Sequence, residues 1–355
     1  MGCKLSSVES EPTARSKEID RALKEERRSI RRARFDFLLV GPPGAGKTTV
    51  ARNLGLQLEP LSREEREKRR VEIYRQVVDD MQAILDKMNQ LNIPFENPDR
   101  LADAQRLAEI AKQPKITFSP ELVVLLQQLW SDSAVQAAIT RVGDSEPGRQ
   151  VYGYFFRSIE RLGTDDYCPS NEDILRMRTK HTSDVSEISW TQLHKSGKTT
   201  AWKTSELHGN IPKLITLLQK YLANSKDLVI LVVSLSDYNH TITRPDGTKE
   251  NYLMECISLY EQLNELCTHS VVLFNKYDIF VDKIATVPIQ MIFPEYTGPN
   301  SPQCSMDYIM HLFHSVQLSD HTGALHKISA TNPGGVLHTI TDFIARRALN
   351  KYGIL

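Results

Sequence analysis

Apolar residues follow two different spacings along the chain, and each spacing predicts a different kind of structure. Short, bounded apolar runs predict buried strands at 35–40, 227–235, 270–275 and 325–330. Helical stretches separate these runs, which is typical of a mostly parallel sheet covered on both faces. Residues 186–193 and 199–207 have the character of two further strands around a turn-forming segment, which predicts a hairpin.

The stretch from Leu61 to about Leu175 has a helical spacing instead. Six of its apolar residues would lie on a single face of one long helix: Val71, Tyr74, Val78, Met81, Leu85 and Met88. Further helical segments follow it, so we expect an α/β fold that contains an all-helical insertion. The expected division is an N-terminal helix at 1–34, a sheet-containing domain at 35–60 and 176–355, and the insertion at 61–175.

Two terminal helices are also predicted. The C-terminal helix has one apolar face, which we expect to pack on the sheet through Val336, Ile340, Phe343 and Ile344. The charged segment Ser16–Arg34 carries only a narrow apolar stripe. It fits either a solvated surface helix or a helix that docks a partner.

Composition and charge narrow the classes of function. Hydrophobic residues make up 40% of the chain and charged residues 25%, as in ordinary globular proteins. The 44 Lys and Arg residues balance the 44 Asp and Glu residues, so the chain lacks the basic excess that is typical of a nucleic-acid-binding protein. The five cysteines lie far apart without a CxxC pair, which indicates a reducing compartment.

The first residues match a lipidation signal. Removal of Met1 would expose Gly2, with Ser6 at the spacing that N-myristoylation requires, and Cys3 is placed to accept palmitate. No apolar run approaches the roughly 20 residues that span a bilayer. Attachment to a membrane would therefore depend on such lipids and on neighbouring basic residues. The alternative is an N-terminus that is disordered and trimmed.

The strongest chemical signal lies between the first strand and the first helix. Residues 41–48 read GPPGAGKT and satisfy the phosphate-loop pattern GxxxxGK[ST]. Its glycines allow backbone N–H groups to turn toward phosphate oxygens, Lys47 supplies a positive charge, and the Thr48 hydroxyl is placed to bind Mg²⁺. The loop by itself does not choose a base, and it would equally suit a nucleoside kinase.

Two strand ends supply candidate contacts to a base. An NKYD sequence, from Asn275 to Asp278, follows a predicted strand at the edge of the sheet where open α/β folds bind ligands. The Asp278 carboxylate can accept hydrogen bonds from N1–H and the exocyclic amine of guanine, whereas adenine lacks that donor pair. The backbone N–H of Ala330, in a Ser-Ala-Thr sequence after the next strand, is expected to meet the guanine carbonyl.

These motifs occur in the order found in heterotrimeric G protein α subunits, and the chain resembles that family over nearly its whole length. Further similar stretches are DILRMR at 173–178, LSDY at 235–238 and FPEY at 293–296. The resemblance implies a P-loop GTPase fold, in which a mostly parallel sheet is flanked by helices and a helical domain is inserted. It also implies GTP, GDP and Mg²⁺ as ligands.

The resemblance assigns the site residues as well. It places at Arg178 the arginine that neutralises charge developing on the transferring phosphoryl group. Contacts to the nucleotide are expected from Gly41, Gly44, Ala45, Gly46, Lys47, Thr48, Thr49, Leu175, Arg176, Gly209, Asn275, Lys276, Asp278, Ala330 and Thr331.

Several positions depart from the family pattern. His181 stands where the family has a Mg²⁺-binding threonine, and an imidazole is a poor ligand for this cation unless Thr182 takes its place. The best placement of the family's DxxGQ segment puts Glu206 at the acidic position, Gly209 at the γ-phosphate and Asn210 at the water-positioning glutamine. Asparagine is one methylene shorter than glutamine, which shortens its reach toward the attacking water.

The phosphate loop departs too, with Gly44 and Ala45 where the family has a Glu-Ser pair whose glutamate is a partner of the arginine. Together the changes spare the phosphate and guanine contacts and alter the groups that order the attacking water. We therefore predict a GTPase with Arg178 and Asn210 at its catalytic positions that binds GTP and hydrolyses it slowly.

The resemblance implies a signalling role at the cytoplasmic face of the plasma membrane. The expected partners are a βγ dimer, a G-protein-coupled receptor, an effector and, through the N-terminal lipid, the membrane; no nucleic acid is expected. Two alternatives stay open. One is a binding module or scaffold of the same fold without a hydrolytic cycle, and the other is a nucleoside kinase, against which NKYD argues.

Overall fold

The computed structural model describes residues 34–145, 152–179, 183–193, 199–223, 228–244, 247–267, 269–318, 322–332 and 335–351. Gly2, Cys3, His181, Thr182 and the charged helix predicted before Arg34 lie outside these ranges. Within them the chain forms a mostly parallel sheet flanked by helices, together with a group of helices inserted after the first one, which confirms the predicted fold class. None of the helices described there is long and apolar enough to cross a membrane.

The strands are β1 (Arg34–Val40), β2 (Val185–Leu193), β3 (Thr199–Leu207), β4 (Leu228–Ser234), β5 (Thr241–Thr243), β6 (Lys249–Asn251), β7 (His269–Asn275) and β8 (Thr322–Lys327). The main sheet has the order β2-β3-β1-β4-β7-β8. Its neighbouring strands are parallel except β2 and β3, whose antiparallel pairing confirms the predicted hairpin. Strands β5 and β6 form a separate antiparallel pair.

The helices are α1 (Lys47–Leu58), α2 (Arg63–Gln90), α3 (Arg100–Ala111), α4 (Pro120–Ser131), α5 (Ser133–Ser145), α6 (Tyr152–Arg157), α7 (Ile159–Leu162), α8 (Asn171–Leu175), α9 (Ile211–Leu222), α10 (Tyr252–Leu266), α11 (Tyr277–Ile284), α12 (Pro302–Ser315) and α13 (Gly335–Lys351). The long helix α2 begins at a capping box. The Ser62 hydroxyl accepts a hydrogen bond from the Glu65 N–H, and the Glu65 carboxylate accepts one from the Ser62 N–H at 2.8 Å.

Two apolar clusters cover the two faces of the main sheet. Successive residues of β1 point to opposite faces, so that Leu38 lies in the cluster under α9, α10 and α12, whereas Leu39 lies in the cluster under α1 and α13. Strand β4 is buried along its whole length, as a strand covered on both faces must be. The C-terminal helix packs as expected through Val336, Ile340 and Phe343; the Ile344 side chain lies outside the description.

A third apolar cluster is built mostly from α2 to α8, and the inserted helices therefore have a core of their own. It contains Ile73, Val77, Met81 and Leu126, all of which are fully buried. Val71, which the helical spacing placed on the buried face, is instead 50% exposed. Rather than entering the helical core, its side chain lines a cavity that α2 borders.

The last strand of the sheet also differs from the expectation. Strand β8 ends at Lys327 rather than continuing to residue 330, because its parallel pairing with β7 runs only from Thr322 opposite His269 to Lys327 opposite Phe274. The Ser-Ala-Thr sequence consequently lies in a turn beyond the strand, where its backbone groups are available for other contacts.

The helical core provides a stability test. Leu126→Ala is expected to lower the free energy of unfolding by about 2–5 kcal/mol, because it leaves a cavity where the native side chain is fully buried. Leu101→Ala on α3 is the matched control, since Leu101 is 57% exposed; its effect should stay within about 0.5 kcal/mol. Urea denaturation followed by circular dichroism measures both. Equal losses for the two variants would contradict the assignment of this core.

Candidate functional site

A cavity of about 1160 Å³ opens beside the carboxyl ends of the parallel strands. The segments that follow β1, β3, β7 and β8 all line it. Helix α2, the segment from Leu175 to Thr179 and residues 114–116 supply further walls. The cavity therefore lies between the sheet and the inserted helices, at the edge where open α/β folds bind ligands.

The backbone of the phosphate loop requires glycine at two positions. Gly41 has a φ of +146°, and a Cβ there would lie 2.2 Å from the carbonyl oxygen of Val232. Gly46 has a φ of +101°, and a Cβ there would lie 2.2 Å from Nδ2 of Asn275. A larger residue would push the loop away from β4 or β7. The loop leads directly into α1, whose N-terminal end favours a bound anion.

Lys47 points into the phosphate loop. Its side chain is buried, and its ammonium group donates hydrogen bonds to the carbonyl oxygens of Gly41 at 2.6 Å and Pro42 at 3.1 Å. Burial lowers the pKa of Lys47 to about 8, and the nearby Glu206 carboxylate partly opposes that shift. A bound phosphate would raise this pKa again, because an anion stabilises the charged form of the amine.

Thr48 and Glu206 meet beside this ammonium group. The Thr48 hydroxyl donates to Glu206 Oε2 at 2.8 Å, and Glu206 Oε1 is buried without a hydrogen-bond partner in the described part of the chain. Burial raises the pKa of Glu206, against the opposing effects of Thr48, Lys47 and Arg52. A hydroxyl and a carboxylate fit Mg²⁺, which prefers oxygen and keeps several waters and phosphate oxygens as ligands.

The described residues contain no cluster of three or more His, Cys, Asp or Glu side chains that could hold a metal ion by themselves. His181 and Thr182, the remaining predicted ligands, lie outside the described residues.

The Asn275 side chain joins the phosphate loop to the turn after β8. Its Nδ2 donates to the Ala45 carbonyl at 2.9 Å, and its Oδ1 accepts from the Ala330 N–H at 2.9 Å. The Ala330 N–H, predicted to meet the guanine carbonyl, is thus engaged within the protein in this structure. Asn53 on α1 adds a second link, since its Nδ2 donates to the Ala330 carbonyl at 2.8 Å.

The NKYD segment forms a further wall of the cavity. Lys276 has a left-handed backbone with a φ of +60°, which is rare for a residue other than glycine. Its ammonium group lies 3.6 Å from Oδ2 of the fully buried Asp237. This conformation starts α11 at the next residue, so that the exposed Asp278 lies in the first helical turn and lines the cavity.

Arg178 lines the cavity and is held by helix α2. Its guanidinium pairs with the Asp80 carboxylate, and its backbone N–H donates to Gln76 Oε1 at 2.8 Å. Burial lowers the pKa of Arg178, and the neighbouring Asp79 opposes that shift. Arg52 on α1 fixes the same segment through the Met177 carbonyl and the Thr179 hydroxyl.

The segment after β3 brings His208 and Gly209 to the cavity but does not bring Asn210 there. The Asn210 side chain accepts a hydrogen bond from the Lys213 N–H at 3.2 Å and caps the N-terminus of α9. Gly209 has a φ of +150°, which turns the chain sharply into that cap. The His208 imidazole lies 2.8 Å from the Ser186 hydroxyl on β2.

Most of the residues that the sequence assigned to the nucleotide line this one cavity: Gly44, Gly46, Lys47, Thr48, Thr49, Leu175, Arg176, Arg178, Gly209, Asn275, Lys276, Asp278, Ala330 and Thr331. Gly41 and Ala45 do not line it; Gly41 contacts Lys47 through its carbonyl, and Ala45 is buried against Asn275.

Sequence reasoning did not find Gln76, Asp80 or His208. The first two lie about 100 residues before Arg178 in a helix whose apolar spacing drew attention to packing instead, and no motif marks them. Its position between Glu206 and Gly209 was the only feature of the sequence that could have indicated His208 as a residue of the site.

Comparison with known proteins agrees with this arrangement. A family model described as G-protein alpha subunit matches residues 13–344. Similar relatives are the guanine nucleotide-binding protein G(o) subunit alpha of Lymnaea stagnalis and of Planorbella trivolvis, each 29% identical over 367 residues, and of Locusta migratoria, 29% identical over 368. Each alignment covers 100% of both chains. Because the family match spans nearly the whole chain, the protein is a divergent α subunit of the heterotrimeric G protein family.

Proposed function

We propose that this protein is a guanine-nucleotide switch that binds GTP and GDP and hydrolyses GTP slowly. The observation that carries the proposal is the presence of Lys47 and Asp278 in one cavity, with Asn275 holding the two loops that carry phosphate and base contacts. Backbone N–H groups of the loop and the Lys47 ammonium would bind the phosphates. The Asp278 carboxylate would select guanine through its two adjacent donors.

Thr48 and Glu206 are the described residues that would hold Mg²⁺, the Thr48 hydroxyl directly and the Glu206 carboxylate beside it. When bound, the cation neutralises charge on the phosphate oxygens. The buried Oε1 of Glu206, which has no hydrogen-bond partner among the described residues, would be available to the hydrated cation.

The slow hydrolysis that we propose follows from the segment after β3. Arg178 lines the cavity, where its guanidinium would neutralise charge on the transferring phosphoryl group. Asn210, however, caps α9 through its side-chain oxygen and does not line the cavity. We assign Asn210 to helix capping in this state and infer that it does not position the attacking water.

We further propose the partners and the location that are usual for such α subunits. These are a βγ dimer, a G-protein-coupled receptor and an effector, with attachment to the cytoplasmic face of the plasma membrane through lipids on Gly2 and Cys3. The proposed organisation has an N-terminal helix at 1–34, a GTPase domain at 35–60 and 176–355, and the helical domain at 61–175. The separate core of α2 to α8 supports the last of these divisions.

A scaffold without a hydrolytic cycle is the second candidate, and the packing of α9 favours it. This helix starts at a capped, proline-containing turn and buries Ile211, Leu214 and Leu218 in the core under the sheet. A helix anchored in this way has little freedom to rearrange when the nucleotide changes. The nucleotide carried by the purified protein separates the candidates: GDP indicates completed hydrolysis, GTP a stalled cycle, and no nucleotide the scaffold.

Base selection is tested by Asp278→Asn. The variant should lose at least about 100-fold in affinity for mant-GDP, because two hydrogen bonds to a charged acceptor are lost. It should gain affinity for xanthosine diphosphate, since an asparagine amide donates where the carboxylate accepts. Asp282→Asn, an equal charge change at an exposed position of α11, is the control and should bind like the parent protein. Unchanged preference for guanine over adenine in the Asp278 variant would contradict the assignment.

The lowered pKa of Lys47 predicts how binding depends on pH. Below about pH 8 the amine is charged both with and without nucleotide, so the affinity for mant-GDP should be constant. Above it the free protein must take up a proton to bind, and the affinity should fall by up to about tenfold per pH unit. Fluorescence titrations from about pH 7 to about pH 9 measure this. Lys47→Met should bind more weakly with a flat profile; a parallel decline in both proteins would refute the role of Lys47.

Single-turnover hydrolysis of bound [γ-³²P]GTP tests the catalytic proposal. Gα proteins that carry their arginine in cis hydrolyse GTP at about 10⁻² s⁻¹, and loss of one positioning group costs about 100-fold. We therefore expect about 10⁻⁴ s⁻¹. Asn210→Ala should change this rate by less than about twofold while lowering stability by about 1 kcal/mol through loss of the cap. An ordinary family rate, or a large rate loss on removing Asn210, would show that its amide reaches the water.

A further inference from the structure

Helix α2 of the helical insertion holds both the backbone and the side chain of Arg178. The Arg178 guanidinium pairs with Asp80, whose side chain is only 5% exposed, and the Arg178 N–H donates to Gln76 Oε1 at 2.8 Å. Gln76 Nε2 lies 3.5 Å from both Asp80 Oδ2 and the Arg176 carbonyl. Because residues 76 and 80 are one helical turn apart, a single face of α2 makes all these contacts.

Asp80 and Arg178 form an ion pair at this position, and Asp79 is a further acidic neighbour of Arg178. A carboxylate as buried as Asp80 requires a positive partner, and Arg178 supplies it. The phosphate loop offers Arg178 no acidic side chain, since Gly44 and Ala45 occupy its centre. Arg52 contacts the Met177 carbonyl and the Thr179 hydroxyl, so the residues on both sides of Arg178 are fixed from α1.

The ion pair also joins two walls of the cavity. Helix α2 forms one wall through side chains that include Arg75 and Gln76, and the segment from Leu175 to Thr179 forms another. That segment continues toward β2 of the main sheet, whereas α2 belongs to the helical core. The ion pair spans these two walls, so moving them apart requires breaking it.

We propose that Asp80 is the positioning residue for Arg178, and that their ion pair ties the helical insertion to the Arg178 segment and slows the release of bound nucleotide. This inference rests on the proposed function, since it takes the cavity to be the guanine-nucleotide site. In this chain the carboxylate that pairs with Arg178 belongs to Asp80 in the helical insertion, because the centre of the phosphate loop carries Gly44 and Ala45. Arg178 would exchange Asp80 for phosphate oxygens when the γ-phosphate is present, because both are anionic acceptors for one guanidinium.

Release of mant-GDP from the full chain, chased with excess GDP, tests the inference. Asp80→Asn keeps the shape of the side chain and removes its charge, and we expect release to become about tenfold faster, as for the loss of one charge-assisted hydrogen bond. Asp86→Asn is the matched control on the same helix, where the exposed carboxylate accepts a hydrogen bond from Gln82. It should change the release rate by less than about twofold.

A double-mutant cycle separates positioning of Arg178 from simple packing of α2. Arg178→Gln should speed release by a similar factor, and adding Asp80→Asn to it should change the rate by less than about twofold. If Asp80→Asn instead speeds release equally in both backgrounds, Asp80 acts on α2 alone and the proposal is overturned. If Asp80→Asn fails to fold, Arg178→Gln removes the same ion pair through its more exposed partner. An unchanged release rate in the Arg178 variant overturns the proposal.

The test distinguishes failure of this inference from failure of the proposed function. If the parent protein binds mant-GDP and its release is unaffected by either single substitution, only the role of Asp80 is refuted. If the parent protein shows no binding of mant-GDP at any concentration, the proposed function fails and the inference fails with it.

Discussion

The two hydrogen bonds of the Asn275 side chain hold the site together. They join the Ala45 carbonyl of the phosphate loop to the Ala330 N–H in the turn after β8, across more than two hundred residues of sequence. The same amide lies so close to Gly46 that no other residue fits there. A shift of either loop would leave a buried amide unsatisfied, which is costly. The phosphate loop and the turn after β8 are therefore fixed relative to each other by one side chain at the end of β7.

Buried groups of opposite charge lie beside the phosphate loop of this rigid frame. Lys47 is satisfied by backbone carbonyls, which are weaker partners than phosphate oxygens, and burial lowers its pKa. Glu206 carries an unpaired oxygen among the described contacts, and burial raises its pKa. Both groups are thus less well solvated than they would be beside a nucleotide and a divalent cation. Ligand binding would relieve a desolvation cost that the folded protein already carries.

At the positions where this chain departs from the family pattern, the structure shows which contacts the residues make instead. Gly44 stands where the resemblance predicts the loop glutamate, and Arg178 pairs instead with Asp80 in the helical insertion. Asn210, which we predicted at the position of the water-positioning glutamine, ends the turn after β3 as the cap of α9.

The sequence by itself determined the fold class, the phosphate loop, the NKYD segment and the β2–β3 hairpin. Each of these depends on residues that are near one another in the chain, where spacing and local backbone preference are sufficient. Tertiary structure alone decided that Val71 is exposed, that Ala330 donates to Asn275, that Asn210 caps a helix and that Asp80 holds Arg178. These outcomes depend on which distant elements pack together, because a hydrogen bond or ion pair is set by positions in space, and local spacing carries no information about them.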